Sequence, residues 1–85
     1  MRYLTMSIKE TAERIIAAVG RDNIKSISHC ATRVRIVPKN SKRMNKLEET
    51  DLIKGSLYTD NQFQIFIQLS DIEEVYQEIE QTLAN

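Results

Sequence analysis

The chain has 85 residues, of which 41% are hydrophobic, and its 12 basic and 12 acidic side chains cancel to a formal net charge of zero. That length holds one core, and the charge balance excludes a general attraction to nucleic acid or to anionic membrane. One cysteine excludes an internal disulfide, no apolar run approaches the ~20 residues that cross a bilayer, and the opening MRYLTMSIKE lacks the apolar centre of a signal peptide, so a soluble, cytoplasmic domain is expected.

Residues 1–6 read as a short flexible tail ahead of one domain spanning the chain. Ser7-x-x-Glu10 reads as a capping box, in which hydroxyl and carboxylate each satisfy a free N–H group. Ile8, Ala12, Ile15, Ile16 and Val19 then fall on one helical face, and Gly20 ends the helix. Residues 24–29, IKSISH, read as a strand with weak alternation. Residues 32–37, TRVRIV, alternate cleanly: Thr32, Val34 and Ile36 face one way, Arg33, Arg35 and Val37 the other. Pro38 marks the exit from that strand because it cannot donate to a ladder.

A polar, basic loop follows, and Met44, Leu47 and Leu52 predict a short second helix. Residues 56–68 read as a hairpin turning at Asp60-Asn61, two residues that tolerate positive φ. Ser70-x-x-Glu73 reads as a second capping box, followed by the apolar stripe Ile72, Val75, Tyr76, Ile79 and Leu83. The predicted order is α-β-β-α-β-β-α. One-sided helices and strands pack most simply as an α/β (α+β) two-layer sandwich, a four-stranded antiparallel sheet with three helices on one face.

The stretch Ser28-His29-Cys30-Ala31-Thr32-Arg33-Val34-Arg35 holds the only cysteine and the only histidine, with two arginines behind them. A free cysteine is commonly a small buried hydrophobe. Here it stands at a predicted corner between strands, where backbone N–H groups can turn outward and Thr32 adds a hydroxyl. Arg33 and Arg35 are two apart on one strand, so both project from the face the helices leave open. Guanidinium groups bind phosphate oxygens in a forked geometry, and positive charge lowers the pKa of a nearby thiol. Cys30 is therefore the candidate nucleophile, with Ala31, Thr32, Arg33 and Arg35 as its anion-binding surround. His29 is at most auxiliary, since an extended chain points it the other way. No metal or cofactor is expected. Tyrosine phosphatases also pair His-Cys with an arginine, but theirs falls where this chain has Ile36. The basic loop Lys39, Lys42, Arg43 lacks the aromatic stacking partners of an RNA-binding surface.

Cys30-Ala31-Thr32-Arg33-Val34-Arg35, with Asn23-Ile24 upstream, resembles the phosphorylation motif of the glucose-type enzyme IIB family of the bacterial phosphoenolpyruvate-dependent sugar phosphotransferase system. Ala17-Ala18-Val19-Gly20, Ile53-Lys54-Gly55, Phe63-Gln64-Ile65 and Glu74-Val75-Tyr76 extend the resemblance through most of the chain. Asp60-Asn61, Gln68 and Pro38-Lys39-Asn40 depart from the usual pattern. The resemblance implies a phosphoryl carrier in which Cys30 takes phosphate from a phosphohistidine on enzyme IIA. A sugar held by membrane enzyme IIC would receive it, drawing the domain to the inner membrane face. The alternative is an IIB-like regulatory module that signals its phosphorylation state to a transcription regulator. In either case the isolated domain is expected to be a monomer that binds no nucleic acid.

Overall fold

In the computed structural model, which describes residues 7–84, the chain runs α1 (Ile8–Val19), β1 (Ile24–His29), β2 (Arg33–Pro38), β3 (Ile53–Thr59), β4 (Gln62–Ile67) and α2 (Ile72–Ala84). The tail expected at 1–6 lies outside the described residues. The first capping box forms: Ser7 N–H donates to Glu10 Oε1 at 3.1 Å, and Glu10 N–H donates to Ser7 Oγ at 3.0 Å. Gly20 closes α1 at φ 102, and a Cβ there would come within 3.2 Å of the Asn23 Cβ. Both the backbone angle and the space thus favour glycine.

Asn23 is wholly buried and works as a clamp. Its amide nitrogen donates to the carbonyls of Val19 and Asn40, at 3.0 and 2.9 Å, and its oxygen accepts from Asn40 N–H at 2.8 Å. Every polar atom of this buried amide therefore faces a complementary one, which offsets the cost of removing it from water.

The four strands form one antiparallel sheet in the order β1-β2-β4-β3. Asp60 and Asn61 close β3 onto β4 with φ of 54 and 62, the mirror-image turn that suits a twisted hairpin. Both edge strands carry a register shift, at Ile24/Ser26 and Ile53/Gly55, and the residue stepped over is a lysine each time, Lys25 and Lys54. A bulge with a charge on it blunts a sheet edge against further pairing. The shift in β1 also explains its weak alternation in sequence.

Cross-strand partners share a face. Val34, Ile36, Phe63, Ile65 and Ile67 project into a core completed by Ile15, Ile16 and Val19 of α1 and Ile72, Val75 and Ile79 of α2. The helices pack on each other and on this one face, so among the described residues no helix covers the opposite face.

Among the described residues two α-helices cover the sheet, not the three expected, and the order is α-β-β-β-β-α. The segment with Met44, Leu47 and Leu52 holds only a 3₁₀ turn, Ser41–Arg43, followed by irregular chain. Its backbone bonds go elsewhere: Asn45 N–H donates to the Ala18 carbonyl at 2.7 Å, and the Thr50 hydroxyl accepts from Leu52 and Ile53 N–H at 3.2 and 3.1 Å. Apolar contacts spaced three and five residues apart pin a strap to the core without making a helical stripe. The second capping box is also absent. A 3₁₀ turn, Leu69–Asp71, leads into α2, and Ser70 Oγ lies 3.4 Å from Asp71 Oδ2.

Candidate functional site

β1 ends at His29 and β2 begins at Arg33, so Cys30, Ala31 and Thr32 form the corner. Thr32 thus belongs to the turn and is exposed, not on the inward face of β2 as its place in the alternation predicts. The corner is tied by one backbone bond, Cys30 N–H to the Arg33 carbonyl at 3.0 Å. Cys30 is half-buried and free of any disulfide.

The thiol is pulled down to about 7. The Thr32 backbone N–H contributes most, followed by the Thr32 hydroxyl, whose oxygen lies 3.6 Å from Cys30 Sγ. Partial burial opposes them, while the Arg33 backbone N–H and then the Arg35 charge assist. The Arg35 charge lowers the thiol as expected, but it is the smallest of the lowering contributions. Hydrogen bonds from the turn do most of the lowering, because they reach the sulfur directly while a guanidinium acts through screened distance. At neutral pH a thiol of this pKa is about half thiolate.

The arginines share the open face, with Arg33 opposite Phe66 and Arg35 opposite Gln64 on β4. Arg33 is held from three sides. Its Cζ lies 4.9 Å from the centroid of the Phe66 ring, its Nη1 donates to Gln64 Oε1, and its Nε reaches Thr32 Oγ1 at 3.4 Å. Thr32 can accept from Arg33 while its own proton points to Cys30, which joins guanidinium to sulfur. Arg35 Nε is buried without a hydrogen-bond partner among the described residues. Among those residues neither guanidinium pairs with a carboxylate, whereas Arg43 pairs with Asp22 at 3.3 Å and holds that carboxyl below its ordinary range.

His29 points to the helix side, its ring centroid 4.4 Å from that of Tyr76, and its Nδ1 lies 3.3 Å from the Cys30 carbonyl oxygen. The imidazole therefore buttresses the corner from behind and stands away from the arginine face. Burial, then the nearby Glu80 carboxylate, raises the Tyr76 hydroxyl, which keeps it neutral. Ala31 is exposed at the tip of the turn. Reasoning from the sequence missed Gln64 and Phe66 as partners of Arg33. Strand alternation puts Gln64 and Phe66 on one face of β4, but the pairing of β4 with β2 has no local signal in the sequence. Among the described residues there is no group of three acidic, His or Cys side chains placed to hold a metal ion. None of the described helices is long and apolar enough to cross a membrane.

Fold and corner together define an α+β domain that presents an acidified thiol beside two uncompensated guanidiniums. A family model described as "phosphotransferase system, EIIB" matches residues 13–45. The chain is 37% identical over 73 residues to the "PTS system sucrose-specific EIIBCA component" of Pediococcus pentosaceus, covering 84% of this chain and 11% of that protein. It is 36% identical over 78 residues to the "PTS system sucrose-specific EIIBC component" of Staphylococcus xylosus, covering 88% and 16%. The crystal structure of one domain of the PTS system IIabc component from Clostridium difficile superposes with a TM-score of 0.80 at 38% identity, covering 87% of this chain and 80% of that one. This chain belongs to the glucose-type EIIB family of the phosphotransferase system. It spans about a sixth or less of the length of these curated relatives.

Proposed function

We propose that the chain is a phosphoryl carrier that accepts phosphate on Cys30 from a phosphohistidine of enzyme IIA and passes it to a sugar bound by membrane enzyme IIC. In the first step the Cys30 thiolate attacks phosphorus. The S–P bond forms as the N–P bond of the phosphohistidine breaks, and the departing imidazole keeps the N–P electron pair and takes a proton from solvent. In the second step a sugar hydroxyl oxygen attacks the same phosphorus. Its O–P bond forms, S–P breaks, the hydroxyl proton leaves to a base, and Cys30 returns as thiolate.

Transfer of a metaphosphate-like group asks mainly for positioning and charge stabilisation. The corner N–H groups, the Thr32 hydroxyl and the two guanidiniums supply both. Hydrogen bonds to charged groups contribute roughly 1.5–3 kcal/mol each, enough to hold a phosphate of about −1.5 to −2 charge without trapping it. The observation that carries this reading is the meeting, at one corner, of a half-exposed thiol of pKa about 7 and two co-facing arginines. The similar EIIBC proteins named for sucrose and trehalose make those the first sugars to try, with work at the cytoplasmic face of the membrane.

The test is incubation with a phosphorylated IIA followed by intact-mass and peptide spectrometry. One phosphoryl group on Cys30, absent in Cys30→Ser, is the expected result. A folded wild-type chain that never gains it would overturn the proposal.

A further inference from the structure

We infer that Gln64 is a positioning residue for the anion site, orienting Arg33 while leaving its positive charge uncompensated; the inference deepens the phosphoryl-carrier reading and rests on it. Gln64 is only 8% exposed although it lies on the open face of the sheet. It stands directly opposite Arg35 in the β2–β4 register and diagonally opposite Arg33, whose Nη1 donates to its Oε1. One neutral amide thus bonds one guanidinium and stands cross-strand from the residue that carries the other. The arginine N–H can only donate, so the amide turns its oxygen toward it.

A carboxylate is the usual partner for a half-buried arginine and forms the stronger, bidentate bond. Here it would be self-defeating. A negative charge bonded to Arg33, cross-strand from Arg35, would occupy the donors and weaken the field that an incoming phosphate needs. The surrounding face keeps to the same rule. By register Ser28, Val37, Gly55, Leu57 and Gln62 surround the arginines and their β4 partners on this face, and none of the strand residues there is acidic. Phe66 completes the arrangement, since a ring face holds a guanidinium in place through its quadrupole without supplying a counter-charge. Acceptor and ring together fix the side chain and leave its net charge for the substrate.

The decisive variant is Gln64→Glu, which is nearly isosteric and keeps an oxygen toward Arg33. A merely structural glutamine would tolerate it, since the bond to Arg33 becomes charge-assisted. The expected result is a thermal unfolding midpoint equal to or above wild type, with Cys30 phosphorylation by phosphorylated IIA slowed at least tenfold.

A second readout needs no partner protein: the ratio of Cys30 alkylation rates by anionic iodoacetate and neutral iodoacetamide, which reports the local field. That ratio should fall several-fold in Gln64→Glu and stay within about twofold of wild type in Gln64→Leu. The leucine variant loses orientation but keeps the charge, so its phosphorylation should still slow. An unchanged alkylation ratio in Gln64→Glu, or wild-type phosphorylation by either variant, would overturn the inference. A wild-type chain that takes up no phosphate would instead remove the carrier reading, and the alkylation ratio would still decide the electrostatic role of Gln64.

Discussion

The sheet contains two hairpins with opposite duties. The β3–β4 turn, Asp60-Asn61, is closed by backbone angles alone: both residues sit at positive φ, and Tyr58 Oη adds a 2.8 Å bond to Asn61 Oδ1. The β1–β2 corner, Cys30–Thr32, has no residue at positive φ, and a single backbone bond ties it. The Thr32 and Arg33 N–H groups act on the sulfur instead. A turn that uses its polar groups to close itself is structure. One that leaves them pointing at a side chain can do chemistry, and packing from behind must then hold it, as His29 of β1 does against Tyr76 of α2.

Substitutions can break or sharpen that contrast. Arg33→Lys has the largest expected effect on the corner. A lysine cannot reproduce the forked bonds to Gln64 and Thr32, so phosphoryl transfer should fall by ten- to a hundredfold, about 1.4–2.7 kcal/mol of barrier. Unfolding in urea should change by no more than about 0.5 kcal/mol, and equal losses of stability and transfer would contradict the division of labour.

Asn61→Ala is the converse. It should cost about 1 kcal/mol of stability through positive-φ strain, read by urea unfolding, and leave the alkylation of Cys30 unchanged. Thr32→Val is subtler. The midpoint of iodoacetamide alkylation against pH should lie near 7 in wild type and move upward in the variant, so the thiolate fraction at neutral pH falls. Arg35→Gln should move the same midpoint upward by less, since its charge is the smallest of the contributions that lower this thiol. A larger shift from Arg35→Gln than from Thr32→Val would reverse the ranking.

Both strong helices were legible in sequence because each buries an unbroken stripe, and Ser7-x-x-Glu10 formed the cap its spacing predicted. Arg33 and Arg35 were legible as a pair because a strand repeats every two residues. The corner itself was legible only as a composition. Thr32 sits in the turn, and its N–H and hydroxyl outrank the guanidiniums at the sulfur, which depends on angles that residue order does not encode. The false helix at 44–52 has the same origin. Met44 and Leu47 pack against the core and Leu52 is buried, all from an irregular strap whose N–H groups find tertiary acceptors such as the Ala18 carbonyl.

Residue order alone determined the local periods, the cap of α1, the mirror turn at Asp60-Asn61 and the gathering of cysteine and arginines into one short stretch. Those properties follow from bonds and sterics between near neighbours in the chain. Only the tertiary structure decided that β4 lies beside β2, bringing Gln64 and Phe66 to Arg33 across a separation of some thirty residues. Pairing of that kind is chosen by the shared core, where Val34 and Ile36 meet Ile65 and Phe63, and the open face inherits its neighbours from it.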